Sequence, residues 1–305
     1  MNTGRGTLLR MGVLALLWGS TFLWIKLALH GLTPVQVTFF RCALGASVLT
    51  LLSHWGGLRL PRSGRVWRHL LVAALLCNAL PFALFSLGEQ TVDSGAAGVL
   101  NATTPLWSLL IGLGLGTERP IRSARLAGLL LGFAGTLLIF APWQRSGLMS
   151  WGALAILGAA ASYAVAFAYM GRHLVGHGTA PLALSAAQLV AATGLSGLAL
   201  PFGGPLPDGG PGANAVFSVL VLGVFCTGIT FALSVRLIAD EGATSAATVG
   251  YLLPVVSVGL GAAVLGERIG PRVIAGMVVV LAGVGLTRFR GAPARPGVRA
   301  RAWAR

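Results

Sequence analysis

The sequence predicts an all-α integral membrane protein with ten transmembrane helices in two inverted five-helix repeats. Three observations carry this. The 305-residue chain is 55% hydrophobic and only 10% charged, with a mean hydropathy of +0.83; a soluble domain needs roughly a quarter charged residues to cover its surface. Apolar runs of about 20 residues recur along it, each long enough to cross roughly 30 Å of hydrocarbon as a helix. The chain also repeats itself. At an offset of 149 positions, Cys77 and Phe82-Ala83-Leu84 fall on Cys226 and Phe231-Ala232-Leu233, Ala97 on Ala246, Pro105 on Pro254, Ser108 on Ser257, and Glu118-Arg119 on Glu267-Arg268. One residue is then lost, and Ala127-Gly128 and Ala134-Gly135 fall on Ala275-Gly276 and Ala282-Gly283. Such a period marks an internal duplication.

The ten predicted spans are 9–29, 35–54, 68–88, 95–116, 121–141, 150–171, 181–201, 213–235, 243–265 and 271–289. The first follows Arg5 and Arg10 as a signal peptide would, but no small-x-small cleavage site follows it and Trp18, Ser20, Thr21 and Trp24 interrupt it, so it reads as an uncleaved span. The linkers are short and rich in turn formers: Trp55-Gly56-Gly57, Arg62-Ser63-Gly64, and 203–212 with its prolines. They make consecutive helices antiparallel neighbours and leave no room for a soluble domain. The units are therefore a first repeat at 1–145, a second at 146–290, and a basic tail at 291–305 with no periodic apolar face, read as disordered and cytoplasmic.

The net charge of +15 would suggest a nucleic-acid partner in a soluble protein. Here the basic residues sit between apolar runs, where they direct topology, and no nucleic-acid partner is expected. With the N-terminus cytoplasmic, inner segments hold 17 of the 22 Lys and Arg, while outer segments hold only Lys26, Arg145, Arg268 and Arg272. Both termini are thus expected inside, and the partners are the bilayer and a small molecule. Five spans per half is odd, so the second repeat enters the membrane upside down, the architecture of alternating-access carriers.

Two five-span repeats, Pro34 ahead of Arg41, Ala83-Leu84 in the third span, and Pro105 followed by Glu118 resemble the EamA family of the drug/metabolite transporter superfamily. The resemblance covers nearly the whole chain. It implies a ten-helix carrier of the inner membrane, most often exporting amino acids, related metabolites or toxic compounds. Relatives in the superfamily also move sugars, nucleotide sugars and phosphorylated sugars. An amino acid or similar zwitterion is the first expectation for the substrate, and an importer of the same fold is the alternative.

Several residues are candidates for the substrate pathway. Arg41 lies about two turns inside the second span, where an arginine costs roughly 2.5–3.5 kcal/mol and therefore faces a cavity or a partner. It reads either as an anion contact or as a structural clamp. Its repeat mate is Gln188, since Pro34-x6-Arg41 matches Pro181-x6-Gln188. In the fourth span Asn101, Thr104 and Ser108 share a helical face, and Pro105 deprives the Asn101 carbonyl of its usual donor. Pro254 does the same for Gly250, with Thr248, Tyr251 and Ser257 nearby. Trp18, Trp24, Tyr163 and Phe167 are aromatics away from the interfaces where belt aromatics belong, so they pack or line a pocket. Asn78 with Pro81 in the third span, and Thr227 with Thr230 in the eighth, complete the polar mid-depth groups. The three helix-kink candidates are Pro81, Pro105 and Pro254.

Gly112-x3-Gly116 and Gly128-x3-Gly132 allow close helix approach and read as seams of the scaffold. The three cysteines, Cys42, Cys77 and Cys226, lie inside spans without metal or disulfide spacing. All seven acidic residues fall at span ends or in loops, which argues against proton coupling through a central carboxylate. The five histidines also lie at span ends or in loops, and no nucleophile–base pair or HExxH is present. No cofactor, no metal and no enzymatic role are expected, a membrane-embedded enzyme being the weak alternative. The oligomeric state is left open by the sequence, with a monomer sufficient for the two-repeat design.

Overall fold

A computed structural model of the chain describes residues 3–114, 123–140, 150–174, 179–205, 210–234, 249, 252–265 and 269–288. Every regular element among them is helical. The chain opens with α1 (Thr3–Gly19) and α2 (Thr21–Ala28), which together carry the span Leu9–Ala28. The break between them follows from back-bonding: Ser20 Oγ and Thr21 Oγ1 both donate to the Leu17 carbonyl, at 3.0 and 3.4 Å. Helix α3 (Pro34–Trp55) starts from a complete capping box, in which Thr33 Oγ1 accepts from Gln36 N–H and Gln36 Oε1 accepts from Thr33 N–H.

Next, α4 (Gly64–Ala74) runs through a π-turn at Leu75–Ala79 into α5 (Leu80–Gly88), all one span, Gly64–Gly88. Pro81 cannot donate to the Cys77 carbonyl, and the widened turn just ahead of it accommodates the ring. The kink expected at Pro81 is thus a π-turn. The same device recurs 149 positions later, where α11 (Ala213–Gly223) enters a π-turn at Val224–Ile229 within the span Ala213–Ser234. Thr230 stands there in place of proline. Hydroxyls hold the widened ladder instead: Thr227 Oγ1 donates to Leu222 O at 2.9 Å, and Thr230 Oγ1 donates to Cys226 O at 2.8 Å.

The fourth predicted span is broken in two, α6 (Ser94–Asn101) and α7 (Thr104–Gly114). Thr104 Oγ1 takes the Asn101 carbonyl at 2.7 Å, the acceptor that Pro105 cannot serve. Helices α8 (Ser123–Phe140), α9 (Trp151–His173), α10 (Pro181–Ala199, continued by a tight turn at Leu200–Phe202), α12 (Leu253–Leu265) and α13 (Pro271–Arg288) follow. Among the described residues, six helical spans are long and apolar enough to cross a membrane: Leu9–Ala28, Pro34–Trp55, Gly64–Gly88, Trp151–His173, Pro181–Phe202 and Ala213–Ser234. Shorter apolar stretches occupy α8 at Leu126–Gly135 and α13 at Pro271–Gly283. The start of the predicted ninth span and the tail lie outside the described residues.

The packing crosses between the half-chains. Helix α3 lies along α10, α5 along α9, and α2 along α11. Each π-turn packs against the second span of the other half: α3 covers Val224–Ile229 and α10 covers Leu75–Ala79. The largest core cluster joins these elements through Phe22, Ile25, Val37, Phe85, Ile156 and Leu222. Large apolar side chains such as Leu51, Leu71, Leu87, Phe167, Phe217 and Leu281 are left exposed, an outer surface suited to lipid rather than water.

Helices α8 and α13 meet through glycines. A Cβ on Gly283 would stand 2.8 Å from both the Gly128 carbonyl and the Gly132 nitrogen, and one on Gly135 would stand 2.8 Å from the Gly276 carbonyl. The Gly128-x3-Gly132 seam expected from sequence is therefore present, while Gly116 of the other pair lies outside the described residues.

Candidate functional site

Arg41 is only 6% exposed and holds its charge inside the protein. Its Nε donates to Thr227 Oγ1 at 2.9 Å, and its guanidinium carbon lies 3.7 Å from the centre of the Phe82 ring. A cation over an aromatic face is stabilised by the ring quadrupole, more so when desolvated. The local sequence makes the approach possible. One turn beyond Arg41, a Cβ on Gly45 would meet Thr227 Cγ2 at 2.8 Å, so only glycine lets α3 sit this close to the second π-turn. Because the Thr227 hydroxyl spends its proton on Leu222 O, its lone pairs face Arg41. The two Nη groups of Arg41 make no hydrogen bond among the described residues, which leaves donors for an anion.

The repeat mates form the corresponding contact. Gln188 Nε2 in α10 donates to Asn78 Oδ1 in the first π-turn at 2.6 Å. Asn78 and Thr227 are equivalent positions of the two repeats, as are Arg41 and Gln188. Each second span thus hydrogen-bonds the π-turn of the opposite half. Asn78 is fully buried and its Nδ2 has no partner. Ser162 of α9 donates to the Leu76 carbonyl at 2.7 Å, using an acceptor that the π-turn exposes.

The remaining candidates sit around or apart from these contacts. Tyr163 is half-buried, stacks on Phe167 at 6.0 Å, and leans on Phe85 at 5.9 Å. It packs against both Phe82's cluster and the main core, so it borders the Arg41 group. Trp24 meets Phe217 edge-on at 5.9 Å. Trp18 packs with Met11, Leu14 and Leu253 in a separate cluster. Asn101 and Thr104 bond each other, and no hydrogen bond joins them to Arg41 or Gln188. Tyr251 lies outside the described residues, as does the Gly250 carbonyl that Pro254 would free. The three cysteines are free and buried, with Cys226 Sγ 3.6 Å from Ser20 Oγ. No group of three potential metal ligands occurs among the described residues.

One residue escapes sequence reasoning. The sequence places Glu89 at a span end, one position past Gly64–Gly88. It is 0% exposed, and neither carboxylate oxygen has a hydrogen-bond partner. Lys26 comes close but spends its ammonium on main-chain oxygens, those of Glu89 at 2.7 Å and Val92 at 3.2 Å, thereby closing the end of α5. Burial holds the Glu89 carboxyl well above the usual carboxylate range, against the opposing charges of Lys26 and Arg41. The sequence signal was its position directly after an unbroken apolar run, with a lysine near the end of the first span.

Helices of membrane-spanning length packed around an internal cation and amide make this a multi-pass integral membrane protein. The chain belongs to the EamA-like transporter family, whose profile matches residues 7–141 and again 150–289. It is 27% identical over 257 residues to the uncharacterized inner membrane transporter YedA of Escherichia coli, covering 84% of this chain and 82% of that one. An uncharacterized transporter of Archaeoglobus fulgidus is 34% identical over 134 residues, and YdfC of Bacillus subtilis, also an uncharacterized transporter, is 31% identical over 170. These two matches cover 44% and 54% of this chain and 45% and 53%, about half, of the relatives' own lengths. A solved crystal structure superposes with a TM-score of 0.70 over 93% of this chain and 97% of its own, at 20% identity, which establishes the shared fold.

Proposed function

We propose that the protein exports a small zwitterionic metabolite, an amino acid or a close relative, across the inner membrane by alternating access. On this reading ten helices form two inverted repeats, 1–145 and 146–290, with both termini cytoplasmic. The observation that carries it is the matched pair of cross-half hydrogen bonds, Arg41 to Thr227 and Gln188 to Asn78. Contacts of this kind between half-chains can be exchanged for others when one half rocks against the other. Arg41 supplies two uncommitted Nη donors for a substrate carboxylate, and the Tyr163 and Phe82 rings beside it suit an apolar side chain.

The test is counterflow by the purified protein in liposomes, run over a panel of amino acids and related metabolites, with Arg41→Ala alongside. Uptake of one zwitterionic class that the folded variant loses supports the reading. Uptake unaffected by the change leaves a carrier in which Arg41 is a clamp. No flux of any compound, with a product formed from one of them, overturns the carrier.

A further inference from the structure

A carboxyl group placed where no water and no donor reaches it is stable there only in its neutral form. Glu89 meets both conditions, with zero exposure and two oxygens without partners. The groups that face it decide whether it can also ionise. From α2 comes Lys26, whose Nζ is held on the Glu89 and Val92 carbonyls; from α3 comes Arg41, already on Thr227 and Phe82. The adjoining turn contributes Asp93, which is exposed. Helix α6 brings no charged side chain, and neither does the first turn of α9, which packs through Gly152 against Gly88 and Thr91. Two cations thus stand near the carboxyl without pairing to it.

We propose that Glu89 is a proton-binding site that is occluded in this conformation and opens in the other, so that substrate export is exchanged for a proton. The inference rests on the carrier reading above. In the exposed conformation the carboxylate takes a proton from the outer solution, forming the O–H bond; occlusion follows. The proton then leaves to water on the inner side while Lys26 or Arg41 moves in to balance the negative charge. Glu89 lies just past the outer end of the span Gly64–Gly88 on the expected topology, which suits a proton entering from that side. The site needs no midplane carboxylate, the feature whose absence argued against proton coupling in the sequence.

The experiment reads the proton directly and needs no substrate. Infrared spectra of the full chain in liposomes at neutral pH are compared with those of Glu89→Gln. The expected result is a protonated-carboxyl carbonyl stretch in the wild type that is lost in the variant. Absence of the band, or a band that the variant retains, overturns the proposal. If the glutamine variant does not fold, Glu89→Asp serves: a displaced band supports the assignment and an unmoved band overturns it. In the same liposomes, an outward-acid gradient is imposed with the zwitterionic amino-acid panel inside. Glu89→Gln is expected to keep counterflow and lose gradient-driven export. Equal gradient-driven export in both proteins overturns the coupling. A Glu89-dependent band without flux of any compound supports the proton site and defeats the carrier reading instead.

Discussion

The Arg41 guanidinium reaches Thr227 through Nε, its least extended nitrogen, at 2.9 Å. The anchor therefore sits at the stem of the fork, and the two tips remain for other work. A lysine at this position has no equivalent of Nε and cannot lie flat on Phe82 while presenting two further donors.

Arg41→Lys is accordingly expected to lose transport as completely as Arg41→Ala, despite keeping the positive charge. Counterflow of the two variants side by side checks this. Transport near the wild-type level in the lysine variant would show that charge alone suffices.

Thr227→Val keeps the shape of the side chain and removes the acceptor. A hydrogen bond to a charged donor contributes about 1.5–3 kcal/mol, and the valine variant should lose stability in that range. Thr227→Ser should restore it. Thermal unfolding of the purified proteins in detergent is the measurement, and an unchanged midpoint in the valine variant would contradict the assignment.

Asn78 and Gln188 are joined at 2.6 Å and both are buried, so their substitutions should not be additive. A double-mutant cycle through Asn78→Ala and Gln188→Ala is expected to show a coupling of about 0.5–3 kcal/mol. A coupling near zero would mean that the two amides are independent.

Gly283→Leu should be the most disruptive of these changes. Its first side-chain atom would meet main-chain atoms of Gly128 and Gly132, which cannot swing aside as a flexible side chain does. Overpacking of this kind costs about 1–3 kcal/mol or more, and should appear as a lowered unfolding midpoint or loss of folded protein. Gly12→Leu, where a Cβ meets nothing within 4 Å, is the control.

Glu89 gives stability a pH dependence of defined sign. Its carboxyl is raised in the folded protein relative to the ordinary value near about 4.3. Between those two values the unfolded chain has released a proton that the native state retains, so stability falls as pH rises through the window. The slope is at most about 1.4 kcal/mol per pH unit. Unfolding midpoints measured against pH should decline for the wild type and flatten for Glu89→Gln. Parallel curves would refute the assignment.

The sequence made the four cross-half residues legible individually, because a polar side chain in an apolar run is costly and stands out. Repeat arithmetic even matched Arg41 with Gln188 and Asn78 with Thr227. It could not reveal that the bonds run between these pairs, since which helix lies beside which is decided by packing across the half-chains. Pro81 announced a distortion in one half, but nothing in Val224–Ile229 announced its counterpart, which hydroxyl groups hold. Glu89 was hidden for a related reason. By sequence it resembles Asp93, four residues on; what separates them is the approach of Gly152 and Lys26 from distant helices.

The two π-turns, set one repeat length apart, differ in that only the first is followed by a proline. Proline is therefore not required for the widened turn. An extra residue lodged in the helix at the same place in both halves is most simply inherited from a single ancestral half-chain that already carried it. Arginine in one half and glutamine in the other thus meet the same bulge with different chemistry.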